Sequence, residues 1–367
     1  MKSILKINFT NNMTNDIVKS IEKKEWIKRW AGSYTFISAS YWGKQYKTSL
    51  ERELGIGFDH SLFIHKKGAV SFYLIKSELD KFGITLAKKA TENNKVAIQW
   101  CSDLKNNADM ITKIMKKFQG KIPSKTEYQE FLVAFDRHLP LHNAIKKTVD
   151  YLSIEVLKKL LPYFKDARLY TEDVYSDTES FFRSITRKIA EKEKYNSDYL
   201  TCLTQLEFEN YLQTKKLPNE KILQIRFESS ILYFENDKEY IETGKHTENI
   251  EEVIFSKSIQ GKKEITGVSA YKGMAIGVAR IIPDPHQIGI FNEGDILITG
   301  MTRPEFLPIM KKASAVVTDA GGILCHAAIS ARELKIPCVV GTQLASSIFH
   351  DGDKIKVDAN TGIISLA

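Results

Sequence analysis

The stretch from Thr318 to Thr342, TDAGGILCHAAISARELKIPCVVGT, decides the reading of this chain. Just before and into it, KASAVVTD is a short apolar run that ends in polar residues, the pattern of a buried strand. Gly321 and Gly322 then permit a tight turn and a close backbone approach. HAAISARELK follows, rich in helix formers and free of breakers until Pro337. IPCVVGT reads as a second short strand. His326 therefore falls at or beside a helix N-terminus, directly after a glycine turn. Free backbone N–H groups and the positive end of the helix dipole favour added negative charge at such a place. An imidazole is largely neutral near pH 7, so one nitrogen is available to attack phosphorus. The small neighbours Ala327 and Ala328 keep access open. A glycine–histidine turn taken alone also fits a structural histidine or a simple helix cap.

The surrounding residues are more specific. Gly321–Gly322 stand four residues before His326–Ala327–Ala328, and Ala331–Arg332–Glu333 and the run Ile336 to Gly341 follow. This arrangement closely resembles the phosphohistidine motif of the phosphoenolpyruvate-utilising enzymes: phosphoenolpyruvate synthase, pyruvate phosphate dikinase, rifampicin phosphotransferase and Enzyme I of the sugar phosphotransferase system. The likeness extends upstream through ITGVSAYKGMAIGVARII (Ile265 to Ile282) and GDILITGMTRPEFLPIMKKASAVVTD (Gly294 to Asp319). Downstream it takes in DGDKIKVDANTGIISL (Asp351 to Leu366), which matches a closing hairpin. Agreement over roughly 100 residues is far more specific than a short pattern.

The resemblance implies that His326 is the phosphorylated residue and that Gly321 and Gly322 shape its loop. Thr302, in the turn Met301–Pro304, matches a family loop next to that site. Cys325 stands where the family accepts Ser or Cys. Arg332 is expected either on the phosphate or in an ion pair with a strand. Glu333, seven residues after the histidine on the same helical face, is expected either to orient the imidazole or to pair structurally, with pairing favoured. Leu324 stands where the synthase and dikinase carry a regulatory threonine, so hydroxyl-based control at that position is not expected.

Composition sets the wider frame. Eleven of the 20 glycines lie in the last 103 residues, which suits a compact, turn-rich, strand-rich unit. The whole chain has 53 Lys+Arg and 45 Asp+Glu; residues 265–367 hold 9 of each, leaving 44 and 36 in residues 1–264 and placing the entire net charge of +8 there. A basic surface of this kind suits an anionic small molecule, nucleic acid or an acidic partner; a lysine-rich solvated surface is the plainer account. No run approaches the eighteen or so apolar residues of a membrane span. The N-terminus does not read as a signal peptide. Cys101, Cys202, Cys325 and Cys338 lack metal-type spacing and are expected as free thiols, with the cytoplasm as location.

Before the glycine-dense part, residues 77–230 show helical periodicity. Expected helical faces are Ile111, Ile114, Met115 and Phe118; Ile145, Val149, Leu152 and Val156; and Phe181, Phe182, Ile185 and Ile189. Thr204 and Glu207 form a capping box. SLFIHKKGAVSFYLI (Ser61 to Ile75) and SILYFENDKEYIET (Ser230 to Thr243) read as hairpins. Trp26, Trp30 and Trp42 are expected in the core. His138 and His142 stand four apart, but Pro140 between them argues against a helical metal pair, and no metal site is expected.

The expected architecture is α+β and multidomain. A mainly helical region, residues 1–244, would bind an acceptor or dock a partner. Residues 245–264 would form a hinge, and residues 265–367 a swivelling β/β/α phosphohistidine domain. Residues 1–264 contain no phosphate-binding glycine loop, and their helical pattern does not supply a phosphoenolpyruvate barrel of about 250 residues. By the resemblance, ATP and Mg²⁺ would act through a separate ATP-grasp protein, and the phosphoryl group would pass to a small-molecule acceptor. The contrasting reading is a non-catalytic binding protein with a basic helical region; no nucleic-acid signature supports it.

Overall fold

The computed structural model describes residues 15–236, 238–244, 247, 254, 264–283, 285 and 288–367. Helix and sheet are mixed as in an α+β protein. The chain divides into two compact units. One comprises Met1–Glu25, Tyr34–Val70 and Ile75–Glu251; the other comprises Trp26–Ser33, Ser71–Leu74 and Glu252–Ala367. The hinge expected over 245–264 lies almost wholly outside the described residues.

The first unit is mainly helical. Its helices are α1 (Asn15–Glu22), α2 (Phe36–Leu54), α3 (Lys76–Glu92), α4 (Asn94–Lys117), α5 (Lys125–Thr148), α6 (Ile154–Tyr170), α7 (Val174–Glu193), α8 (Ser197–Leu200), α9 (Gln205–Thr214) and α10 (Glu220–Glu228). Capping explains several boundaries. Ser124 and Glu127 form a reciprocal capping box that opens α5, and Thr204 and Glu207, the pair read from the sequence, do the same for α9.

One expected face is not a single helix. Ile145 belongs to α5, but the chain tightens into a 3₁₀ turn at Val149–Tyr151, and Ser153 caps a new helix by accepting the N–H of Val156. Short-range capping overrides a hydrophobic spacing that would have run through it. The opposite holds at Pro140. Helix α5 continues through it, so His138 and His142 do share a face, with ring centroids 6.0 Å apart. Arg168 places its guanidinium Nη1 3.1 Å from His142 Nδ1. Burial pushes the His138 imidazole down to about 3.

Strands β2 (His60–Lys66) and β3 (Ala69–Ile75) flank a two-residue turn in which Lys67 and Gly68 both have positive φ. Strands β4 (Ser230–Glu235) and β5 (Lys238–Thr243) are antiparallel, and β4 also pairs with β2, aligning Phe63 with Leu232. All three tryptophans singled out by the sequence are buried: Trp30 packs on Phe72, and Trp42 on Tyr34, Phe135 and Tyr175. Trp30 lies in strand β1 (Trp26–Gly32).

The second unit is built on an eight-stranded sheet in the order β6-β13-β12-β8-β9-β10-β11-β7. Its strands are β6 (Glu264–Thr266), β7 (Val268–Tyr271), β8 (Met274–Ile281), β9 (Ile296–Thr299), β10 (Ala315–Thr318), β11 (Cys338–Val340), β12 (Lys354–Asp358) and β13 (Ile363–Leu366). Strands β8 to β11 are parallel. Strands β9, β10 and β11 are buried along their whole length, which suits their nearly continuous apolar sequence. Alternation along each strand splits the core in two. Ile296, Ile298, Ala315 and Val317 join Phe349 on one face, next to α13 (Ala345–Ile348). Leu297 and Val316 join Ala327, Ala328 and Ala331 of α12 (His326–Leu334) on the other, with Phe306 and with Met310 of α11 (Leu307–Met310). The three alanines let α12 lie close on the sheet.

Candidate functional site

Strand register brings the site together. Thr318 at the end of β10 is aligned with Thr299 at the end of β9. The pairing continues past both ends: Asp319 N–H donates to Thr299 O at 3.0 Å, and Ala320 N–H to Gly300 O at 2.9 Å. The two loops therefore emerge side by side at the carboxyl ends of parallel strands, where open α/β sheets bind ligands. One loop carries Thr302, the other leads to His326.

The loop after β10 holds its shape by backbone constraints. Gly321 has φ +125°, a conformation L side chains rarely adopt, and a Cβ there would stand 2.8 Å from Cys325 Sγ. Gly322 O accepts the N–H of Cys325 at 3.0 Å. Cys325 is the N-cap of α12 with extended φ and ψ, and its O accepts the N–H of Ile329. His326 is thus the first helical residue of α12, as its sequence position implies.

Asp319 anchors the start of this loop. It is fully buried, and its carboxylate accepts the N–H of Ser346 at 3.0 Å, the Ser346 hydroxyl, and the Thr342 hydroxyl at 3.3 Å. Within the same unit, Lys28 Nζ lies 3.1 Å from Asp319 Oδ2. Thr342 and Gln343 donate their N–H groups to Thr318 O and Asp319 O, at 3.1 and 2.9 Å, so a third loop braces the other two.

The imidazole of His326 is half-buried. Thr302 Oγ1 lies 2.8 Å from its Nδ1, and Ser330 Oγ lies 3.2 Å from its Nε2. Both hydroxyl residues are buried. The remaining sequence candidates stand elsewhere. Arg332 directs Nε to Ala270 O at 3.1 Å and Nη1 to Ile323 O at 2.7 Å, tying the far end of α12 to β7 and to the histidine loop. Glu333 is exposed. Ala327 and Ala328 face the core. Leu324 is buried. Burial pushes the thiol of Cys338 well above its ordinary range, and all four cysteines are free.

Two contributors were not singled out from sequence. Ser330 could have been found by asking which residue stands one helical turn after His326. Asp319 gave no local signal, because its partners come from β1 and from the β11–α13 region.

An imidazole at a helix start, gripped at Nδ1 by a hydroxyl from a neighbouring strand loop, is suited to hold and release a phosphoryl group. Residues 291–362 match the family model described as the mobile domain of PEP-utilising enzymes. A probable phosphoenolpyruvate synthase of Archaeoglobus fulgidus is 45% identical over 109 residues, covering 30% of this chain and 14% of the relative. The phosphoenolpyruvate synthase of Pyrococcus furiosus is 45% identical over 100 residues, covering 27% of this chain and 12% of the relative. An uncharacterized phosphotransferase of Bacillus subtilis, YvkC, is 39% identical over 122 residues, covering 33% and 15%. The chain therefore spans about a seventh of the length of these relatives. A solution structure titled Enzyme I aligns with 84% of this chain and 86% of its own at 15% identity, with a TM-score of 0.23. Among the described residues, no helix is long and apolar enough to cross a membrane. Through the segment that carries His326, the chain is similar to the mobile domain of the phosphoenolpyruvate-utilising enzymes.

Proposed function

We propose that this chain is a phosphotransferase component in which His326 carries a phosphoryl group from a donor site to an acceptor. ATP with Mg²⁺, bound by a separate ATP-grasp protein, supplies the group, and a small molecule receives it. The observation that carries this reading is the position of His326 as first residue of α12, with Thr302 Oγ1 2.8 Å from Nδ1.

In the loading step, the Nε2 electron pair forms an N–P bond. The P–O bond to the donor's leaving oxygen breaks, and that oxygen keeps the electron pair. The first-turn N–H groups of α12 and its dipole stabilise the charge brought in. Delivery is the same step reversed onto an acceptor oxygen. A covalent intermediate divides one transfer between distant sites into two in-line steps, each needing mainly positioning and charge stabilisation. The helical first unit is assigned to acceptor binding or partner docking, and the hinge to residues 245–264.

The test is incubation with a candidate ATP-grasp partner, Mg²⁺ and β- or γ-labelled ATP, followed by scoring of acid-labile label. The wild-type chain should be labelled and His326→Ala should not. Label persisting in the variant removes His326 from the pathway.

A further inference from the structure

The second hydroxyl at the imidazole belongs to no part of the reading so far. Ser330 stands one helical turn after His326, and side chains four apart on a helix lie over one another. Helical side chains lean toward the N-terminus, which carries Ser330 Oγ to 3.2 Å from His326 Nε2. The residue is only 5% exposed. Arg332 is committed to two backbone carbonyls and Glu333 points to solvent, so neither occupies this place.

We propose that Ser330 is a positioning residue for the phosphoryl transfer: its hydroxyl first fixes the imidazole with the lone pair on Nε2 and then holds the phosphoryl group placed there. The proposal rests on the carrier reading for its second half only.

A neutral imidazole has one N–H and one lone pair. In this proposal the Nδ1 proton is donated to Thr302 Oγ1 and the Nε2 pair accepts the Ser330 O–H; the two contacts fix the ring orientation, and the tautomer is what the experiment reads. A neutral hydrogen bond of this kind is weak in net terms, so it orients Nε2 without blocking it. When Nε2 attacks, Nδ1 keeps its proton on Thr302 and the ring takes the positive charge. The Ser330 O–H is then released from the lone pair. By rotation about χ1 it meets a phosphoryl oxygen, and that bond is charge-assisted and stronger.

The experiment uses the full chain with histidine labelled in ¹⁵N, as wild type, Ser330→Ala, Ser330→Thr and His326→Ala. Long-range ¹H–¹⁵N correlation at pH 8 reads the tautomer, the His326→Ala spectrum assigning the ring. Phosphoramidate then phosphorylates the imidazole without any partner, and ³¹P NMR follows which nitrogen carries phosphate and how fast it is lost. Wild type should show the pair on Nε2 and phosphate on Nε2. Ser330→Ala should show mixed tautomers and lose phosphate about five-fold faster, equivalent to about 1 kcal/mol. Ser330→Thr, which keeps the hydroxyl, should restore both. Alanine is a good helix former, so the variant should keep its fold. A Ser330→Ala spectrum and decay rate identical to wild type would overturn the proposal. Absence of phosphate on His326 in every chain, with the tautomer change still present, would sink the carrier reading and leave the positioning of the ring by Ser330 standing.

Discussion

Buried titratable side chains in the first unit show how single residues set its response to pH. Glu179 on α7 is buried, and its Oε2 accepts the N–H of Thr35, the cap of α2, at 2.6 Å. Burial raises its carboxyl from 4.5 to about 7. His65 is its opposite. Its Nδ1–H donates to Arg226 O, Gly68 N–H donates to its Nε2, and burial lowers the ring to about 4. Between pH 4.5 and 7 the unfolded chain has lost the Glu179 proton and the folded chain keeps it, so this residue's contribution is full below 4.5 and is lost as pH rises through 7. His65 acts in the other sense: below 6.5 the unfolded ring binds a proton that the folded ring refuses, so its contribution falls as pH drops toward 4. The two effects overlap, and the contribution of Glu179 is isolated by difference. Glu179→Gln, compared with wild type by urea denaturation, should gain relative stability from pH 5 to pH 8, by an amount on the order of 3 kcal/mol. A pH-independent difference between the two proteins would show that Glu179 titrates normally.

At the scale of elements, the glycine turn and helix α12 act as one device. Gly321 adopts φ +125° with Cys325 Sγ packed where a Cβ would go. Gly321→Ala should therefore cost about 1–3 kcal/mol and displace the start of α12. Thermal unfolding should register the loss, and phosphate labelling of His326 should slow even at temperatures where the variant is folded. A variant with unchanged melting and unchanged labelling would mean that the loop tolerates a side chain there. The same scale shows how far sequence patterns reach. The strand–turn–helix–strand order around His326, the capping box at Thr204 and the hairpin from Ser61 to Ile75 were legible, because each depends on residues a few positions apart. The continuous face drawn from Ile145 to Val156 failed, because hydrophobic spacing does not register a cap such as Ser153. The helix through Pro140 was missed for the converse reason: tertiary packing holds a helix that local preference would kink.

For the whole molecule, the proposed division of labour makes a simple prediction. The described residues 15–236 form helices and a few strands, and residues 1–264 have no glycine loop of the phosphate-cradling kind. The chain alone with Mg²⁺ and labelled ATP should acquire no acid-labile phosphate, and addition of the ATP-grasp partner should produce it. Self-labelling by the purified chain would place a nucleotide site within it and end the two-protein scheme.

Local sequence sufficed to put His326 at a helix start behind a glycine turn, since a turn, a cap and a helix start are written in neighbouring residues; its expected role as carrier came from the family resemblance. The grip on the ring was another matter. Thr302 is 24 positions from His326, and Asp319 is 27 from Ser346. Which side chains meet across such distances depends on strand register, and here it is the alignment of Thr318 with Thr299 that delivers two loops to one imidazole. Ser330 lay between these cases. Its spacing was visible one turn along the helix, but only the folded chain shows its hydroxyl turned toward the nitrogen.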